Sequence, residues 1–126
     1  MLYDSNFLIC LSGSRGRAQR MAAEAFLAAH PDKPVYTSRI CWAEFAEGCE
    51  TREVVNDPLS PFTVLEINDH IAWEASRISR SLDRRGLPIG DNDVWIAATA
   101  KAYRLPLVSR NGKHFDRVPG LEIEEY

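Results

Sequence analysis

GLPIGDNDVWIAATAKAYRLPLVSRNGKHFDRVPGLEIEEY, residues 86–126, decides the fold class of this chain. VWIAATAKAY follows two candidate caps, Asp91 and Asn92, and its alanines let a helix lie close against a sheet. LPLVS (105–109) then reads as a strand, RNGKHFD as a loop or short helical turn, and LEIEEY as a last edge strand. A helix feeding a strand, which feeds another strand through a short crossover, belongs to a sheet covered by helices.

The same alternation continues upstream. FTVLEI (62–67) is a β-branched strand candidate, and Asn68 or Asp69 can cap a helix whose Ile71, Ala75, Ile78 and Leu82 fall on one face until Gly86. VYT (35–37) is another strand, with Ser38 as N-cap of a helix over Arg39 to Cys49 that carries Trp42, Phe45 and Ala46 on its apolar side. TREVVNDPLS reads as a short helix and turn stopped by Pro58. Near the start, MLY is a short strand, FLICL a strand end or helical turn, and SGSRGR a break. A helix from Arg17 to His30 follows, with Ala18, Met21, Ala22, Ala25, Phe26 and Ala29 recurring at three- and four-residue spacing. The expected architecture is α/β, a three-layer αβα sandwich around a mostly parallel sheet, formed by residues 1–126 as one domain.

Composition sets the outer limits. With 45% hydrophobic and 26% charged residues the chain is globular rather than disordered. No apolar run spans a bilayer, and MLYDSNFLICL has no basic lead-in, so a cytoplasmic location is expected. Cys10, Cys41 and Cys49 form no CxxC pair and read as reduced thiols. The net charge of −3 hides an asymmetry: residues 77–117 hold nine basic and four acidic side chains, against six and eleven in residues 1–76. That middle segment allows a nucleic-acid partner without demanding one.

Several acids follow strands or begin helices. Asp4 comes directly after the first strand, where ligands collect in α/β sheets, with Ser5 and Asn6 beside it; an Asx-turn or helix cap is the competing explanation. Glu44 lies mid-helix between Ala43 and Phe45, and Glu47 and Glu50 make it part of an acidic stripe that solvation alone would explain. Asp91 and Asp93 both open the alanine-rich helix; one fits a cap, the other a first-turn acid facing the crevice, and spacing does not choose. Asn111, His114 and Asp116 follow the late strand, where an amide or imidazole can orient a carboxylate or meet a phosphate. Acids gathered from such distant positions need a hard cation, magnesium or manganese, to offset their repulsion. Arg77, Arg80, Arg84 and Arg85 on one helix, and Arg110, Lys113 and Arg117 near the late loop, can hold a phosphate backbone around them, or simply form solvated faces. No phosphate-loop, dinucleotide, HExxH or GxSxG motif occurs.

MLYDSNFLI, the Glu44 segment SRICWAEFAEG and the closing third from GLPIGDNDVWIAATA to PGLEIEEY together resemble the PIN-domain ribonuclease toxins of bacterial type II toxin–antitoxin modules, the VapC family. The resemblance implies a magnesium-dependent endoribonuclease, with manganese as a substitute, in which Asp4, Glu44 and Asp93 hold the metal. It places the third acid on Asp93 rather than Asp91, and Asn111 at a position that is aspartate in many relatives. Asn6, Ser5, Asp91, Arg110, His114, Asp116 and Arg84 are its expected supporting or substrate-binding residues. It also implies RNA (transfer, ribosomal or messenger) as substrate, a homodimer, and a cognate antitoxin contacting the helices between Arg17 and Val55. Two alternatives share the fold: a PIN-like RNA-processing nuclease outside a toxin module, and a catalytically silent interaction protein. A receiver or phosphatase centred on one aspartate lacks a suitably placed late lysine.

Overall fold

The computed structural model describes residues 1–126. Five short strands, β1 (Leu2–Tyr3), β2 (Tyr36–Ser38), β3 (Thr63–Leu65), β4 (Leu107–Val108) and β5 (Ile123–Glu124), form one sheet in the order β3-β2-β1-β4-β5. Every pair is parallel, with Leu2 opposite Tyr36 on one side and Leu107 on the other. Parallel strands are covered on both faces and read as continuous apolar runs, and Leu2, Tyr3, Leu107 and Val108 are fully buried.

Seven helices make the connections: α1 (Ser5–Leu11), α2 (Arg17–Ala29), α3 (Arg39–Glu47), α4 (Arg52–Leu59), α5 (Asp69–Arg84), α6 (Asp91–Ala102) and α7 (Gly112–Phe115). Right-handed crossovers carry α1 to α4 to one face as the sheet grows toward β3, and α5 and α6 to the other as it grows toward β4. The packing agrees, since α1 lies against α2, α3 and α4 while α5 lies along α6. The result is the three-layer α/β sandwich that the alternation of elements predicts.

α5 forms where a cap and an amphipathic pattern coincide. Asn68 Oδ1 accepts the Ile71 N–H at 3.0 Å, and Ile71, Ala75, Ile78 and Leu82 are all buried. Burial of such side chains contributes roughly 1.5–3 kcal/mol for each isoleucine or leucine. α3 starts the same way, with Ser38 Oγ accepting the Cys41 N–H at 3.0 Å.

The structure decides four local points that the sequence left open or placed differently. FLICL is helical, because Asp4 caps the segment and commits it to α1. The apolar spacing in α2 marks the helix but not its buried face: Ala23 is its buried residue, Phe26 and Leu27 pack on the core, and Met21 is 56% exposed with Ala18, Ala25 and Ala29 also outside. Alanine adds little to a helix's apolar signal, so the larger Phe26 and Leu27 set the rotation. Pro58 lies inside α4, which ends one residue later at Leu59. The cap of α6 is Gly90, with no side-chain bond, so Asp91 is the first helical residue rather than a cap and Asn92 is the second.

Candidate active site

The sheet reverses its order of growth at β1, which has β2 on one flank and β4 on the other. Crevices form outside the carboxyl ends of strands at such a point, and Asp4 and Ser109 both stand there.

Asp4 is 3% exposed and works as a cap as well as a candidate ligand. Its Oδ1 accepts the Phe7 N–H at 2.8 Å, and its Oδ2 accepts the Ser109 hydroxyl at 2.6 Å. Ser109 Oγ in turn accepts the Asn111 N–H at 2.9 Å, which leaves its own proton for Asp4. Burial pushes the Asp4 pKa above the ordinary carboxylate range; the Ser109 and Phe7 bonds oppose this, the charge of Asp93 adds to it, and that of Arg15 reduces it.

Glu44 reaches the same region from the middle of α3. Burial raises its pKa first, then the charge of Asp93; the buried Ser5 partly offsets this, and Asp4 and Glu47 add to it. Its Oε1 is buried and has no hydrogen-bond partner. Leaving a buried acceptor unmet costs about 1–3 kcal/mol, and the Tyr3 hydroxyl is buried without a partner in the same way. Beside Glu44 opens a cavity of about 560 Å³, with Ile9, Phe45, Val54 and Pro58 in its wall.

Asp93 stands half-buried in the first turn of α6. Asn111 Nδ2 donates to its Oδ2 at 3.4 Å, His114 Nδ1 lies 3.3 Å from the same oxygen, and Asn111 Nδ2 is 3.0 Å from His114 Nδ1. An amide has two protons, so Asn111 serves both partners when the imidazole carries its proton on Nε2. With the proton on Nδ1 instead, His114 donates a hydrogen bond to Asp93.

Asp4, Glu44 and Asp93 therefore come together electrostatically, although no three His, Cys, Asp or Glu side chains are drawn close enough to ligate one ion as they stand. Asn6 joins Cys10, Arg15, Arg110, Asn111 and Tyr126 around a second cavity of about 380 Å³. Arg110 is fixed there by a 2.9 Å bond to the Tyr126 carbonyl, by stacking 4.2 Å from that ring's centroid, and by Gln19.

Other expected residues lie elsewhere. Asp91 is exposed and lines the groove between α5 and α6 with Ala72, Ser76 and Ser79. Asp116 is exposed at the end of α7. Arg84 sits at the end of α5 among other arginines. Sequence reasoning missed Ser109 and Arg15; for Ser109 the signal was a hydroxyl at the end of the strand next to β1.

The PIN domain model matches residues 1–121. The chain belongs to the PIN-domain family. Within that family it is closely related to VapC toxins. It is 36% identical over 96 residues to ribonuclease VapC2 of Haemophilus influenzae, covering 71% of this chain and 73% of that one. It is 34% identical over 73 residues to the tRNA(fMet)-specific endonuclease VapC of Salmonella typhimurium, covering 58% and 55%. A toxin-antitoxin complex from Klebsiella pneumoniae contains a chain that superposes on this PIN domain with a TM-score of 0.73 at 30% identity, over 99% of this chain and 98% of that one. No helix of this PIN domain is long and apolar enough to cross a membrane.

Proposed function

We propose that this chain is a single-domain, magnesium-dependent endoribonuclease toxin held in check by a cognate antitoxin. The observation that carries the reading is the partnerless buried oxygen of Glu44, whose pKa is raised by burial and by the charges of Asp93, Asp4 and Glu47. A donor set of carboxylates without thiolates suits Mg²⁺, with Mn²⁺ as a substitute, and a cation would satisfy the Glu44 oxygen. When bound, the cation supplies charge neutralisation at the phosphate and activation of water for in-line attack.

The chain's own residues do the rest. Ser109 and the Phe7 amide fix both Asp4 oxygens, so Asp4 can turn toward a cation only through its remaining lone pairs. Asn111 and His114 hold the Asp93 carboxylate in the first turn of α6. Arg15 and Arg110, with Asn6, line the adjoining cavity and can grip a phosphate flanking the scissile bond. The name of the Salmonella relative makes transfer RNA the first substrate to try.

The Klebsiella complex supports an antitoxin partner. Met21 on α2 and Val54 on α4, 56% and 52% exposed, leave apolar surface outward in the helical region where antitoxin or a second copy would dock.

Cleavage of transfer RNA and total RNA by antitoxin-free protein, with and without magnesium, tests the reading against a folded Asp93→Asn protein. Discrete products that need magnesium and disappear in the variant are expected. No cleavage by folded wild-type protein with magnesium overturns the nuclease reading.

A further inference from the structure

The solvent face of α5 carries a stripe that the acid cluster does not use. Trp73, Arg77, Arg80 and Arg84 recur at i, i+4, i+7 and i+11. At about 100° per residue they fall within roughly 60° of one another, opposite the buried Ile71, Ala75, Ile78 and Leu82. Glu74 and Asp83 fall outside that arc.

Charge and exposure distinguish this stripe from ordinary helix decoration. Arg77, Arg80, Ser81, Arg84 and Arg85 line a cavity of about 370 Å³ that contains no acid and no apolar side chain. The chain's ion pairs lie elsewhere, at Arg20–Glu24 and Arg39–Glu66, and the His114–Asp93 contact is also remote, so no carboxylate pairs with these four guanidinium groups. Trp73 is 59% exposed, and the Arg77 guanidinium stacks 4.3 Å from its ring centroid. An exposed indole at the head of a row of unpaired arginines has the makeup of a single-strand platform, in which bases stack on the ring and phosphates follow the cations.

The stripe is tied to the active site at its other end. Arg85 Nη1 donates to the Arg117 carbonyl at 3.1 Å, and Arg117 Nη1 donates to the Pro88 carbonyl at 2.9 Å. Those bonds join the end of α5 to the turn after α7, the helix whose His114 touches Asp93. The stripe itself runs about 16 Å along the helix axis, enough for several phosphates.

We propose that the Trp73–Arg77–Arg80–Arg84 face, with Arg85, is a second RNA-binding surface that holds the backbone and one unstacked base of a substrate extending beyond the acid cluster. The choice of RNA as occupant rests on the nuclease reading; the anion-binding face does not. Substrates too short to reach α5 gain nothing from it, so it favours long or folded RNA over short oligonucleotides.

Fluorescence anisotropy of labelled transfer RNA and of an oligonucleotide of about four nucleotides, measured in EDTA across a salt series, tests this without cleavage. In Arg77→Ala/Arg80→Ala, transfer RNA affinity is expected to fall about tenfold or more, and the slope of log K against log salt to shrink by about 1.5–2. Trp73→Ala is expected to weaken transfer RNA about tenfold with the salt slope retained. Arg77→Lys/Arg80→Lys should keep the slope. Losses on the short oligonucleotide should be much smaller in each variant. Wild-type affinity and slope for transfer RNA in the first two folded variants overturns the proposal, as does equal loss on both RNA lengths, or loss of a copurifying acidic protein in place of RNA. Magnesium-dependent cleavage with silent variants removes the stripe and leaves the nuclease; stripe-dependent binding with no cleavage removes the nuclease and leaves the stripe.

Discussion

Asp4 and Glu44 are carboxylates lifted by the same cause, burial, yet the chain answers them differently. Asp4 has a backbone amide on one oxygen and a serine hydroxyl on the other, whereas Glu44 keeps one buried oxygen with no partner. Asp4 is thus part of the fold's own hydrogen bonding, and its cap would remain useful in a protein with no activity. Glu44 costs stability where it stands, and a cation bound there would offset that cost. Stability should therefore separate the two residues where activity does not.

The largest effect expected is on cleavage. Asp4→Asn and Glu44→Gln should each lower magnesium-dependent RNA cleavage by about a hundredfold or more, since each removes charge from a site that must neutralise a developing phosphoryl charge worth several kcal/mol. Single-turnover rates at saturating magnesium measure this. Retention of full activity in Glu44→Gln would break the comparison at its root.

Next in size is stability. Asp4→Ala removes the α1 cap and strands the Ser109 hydroxyl, and should cost about 1–3 kcal/mol. Ser109→Ala should cost a similar amount near neutral pH and little once Asp4 is protonated, because the lost bond favours the charged form. Glu44→Gln should be neutral or stabilising in metal-free protein. Urea unfolding at pH 7 and pH 4 ranks the three, and a large loss in Glu44→Gln would show that its buried oxygen is satisfied after all.

A smaller effect appears in the pH dependence. Both acids have folded pKa values above their unfolded ones, so their contribution to stability is complete below about pH 4, the ordinary carboxylate range. It is lost as pH rises through the raised folded values. Metal-free wild-type protein should therefore lose melting temperature relative to Glu44→Gln as pH climbs from 4 toward 7. Magnesium should restore it increasingly over the same window, because cation and proton compete for one site. Melting curves with and without magnesium measure this; a magnesium shift as large at pH 4 as at pH 7 would contradict it.

The smallest effect probes the helix that carries Glu44. Cys41 is fully buried and its thiol is pushed up to about 12, chiefly by burial, while Cys49 beyond the end of α3 is half-buried. A thiol reagent should label Cys49 first in the native protein and reach Cys41 only on unfolding. Mass spectrometry of the labelled peptides shows the order, and equal rates would mean that α3 opens locally.

Much of the candidate site could be named residue by residue. Asp4 stood out because it directly follows a strand, and Glu44 and Asp93 gained weight from the resemblance carried by the SRICWAEFAEG and DNDVWIAATA segments. Asp91 and Asp93 remained equivalent by spacing, since both open α6 two residues apart. Only the structure turns Asp91 toward α5 and brings Asp93 against Asn111 and His114. The buried face of α2 was not legible for a related reason: its small alanines gave a regular pattern without enough apolar surface to fix the rotation.

By itself the sequence determined the alternation of strands and helices, the apolar face of α5, and the caps at Ser38 and Asn68. These depend on neighbours within about four residues, where periodicity and side-chain-to-backbone bonds act. Tertiary structure alone decided that Ser109 holds Asp4 across 105 positions of chain, that Glu44 buries an unmet oxygen, and that the α5 arginines have no acid beside them. Those facts depend on which strands become neighbours and which charges are brought near each other, and no local pattern encodes either.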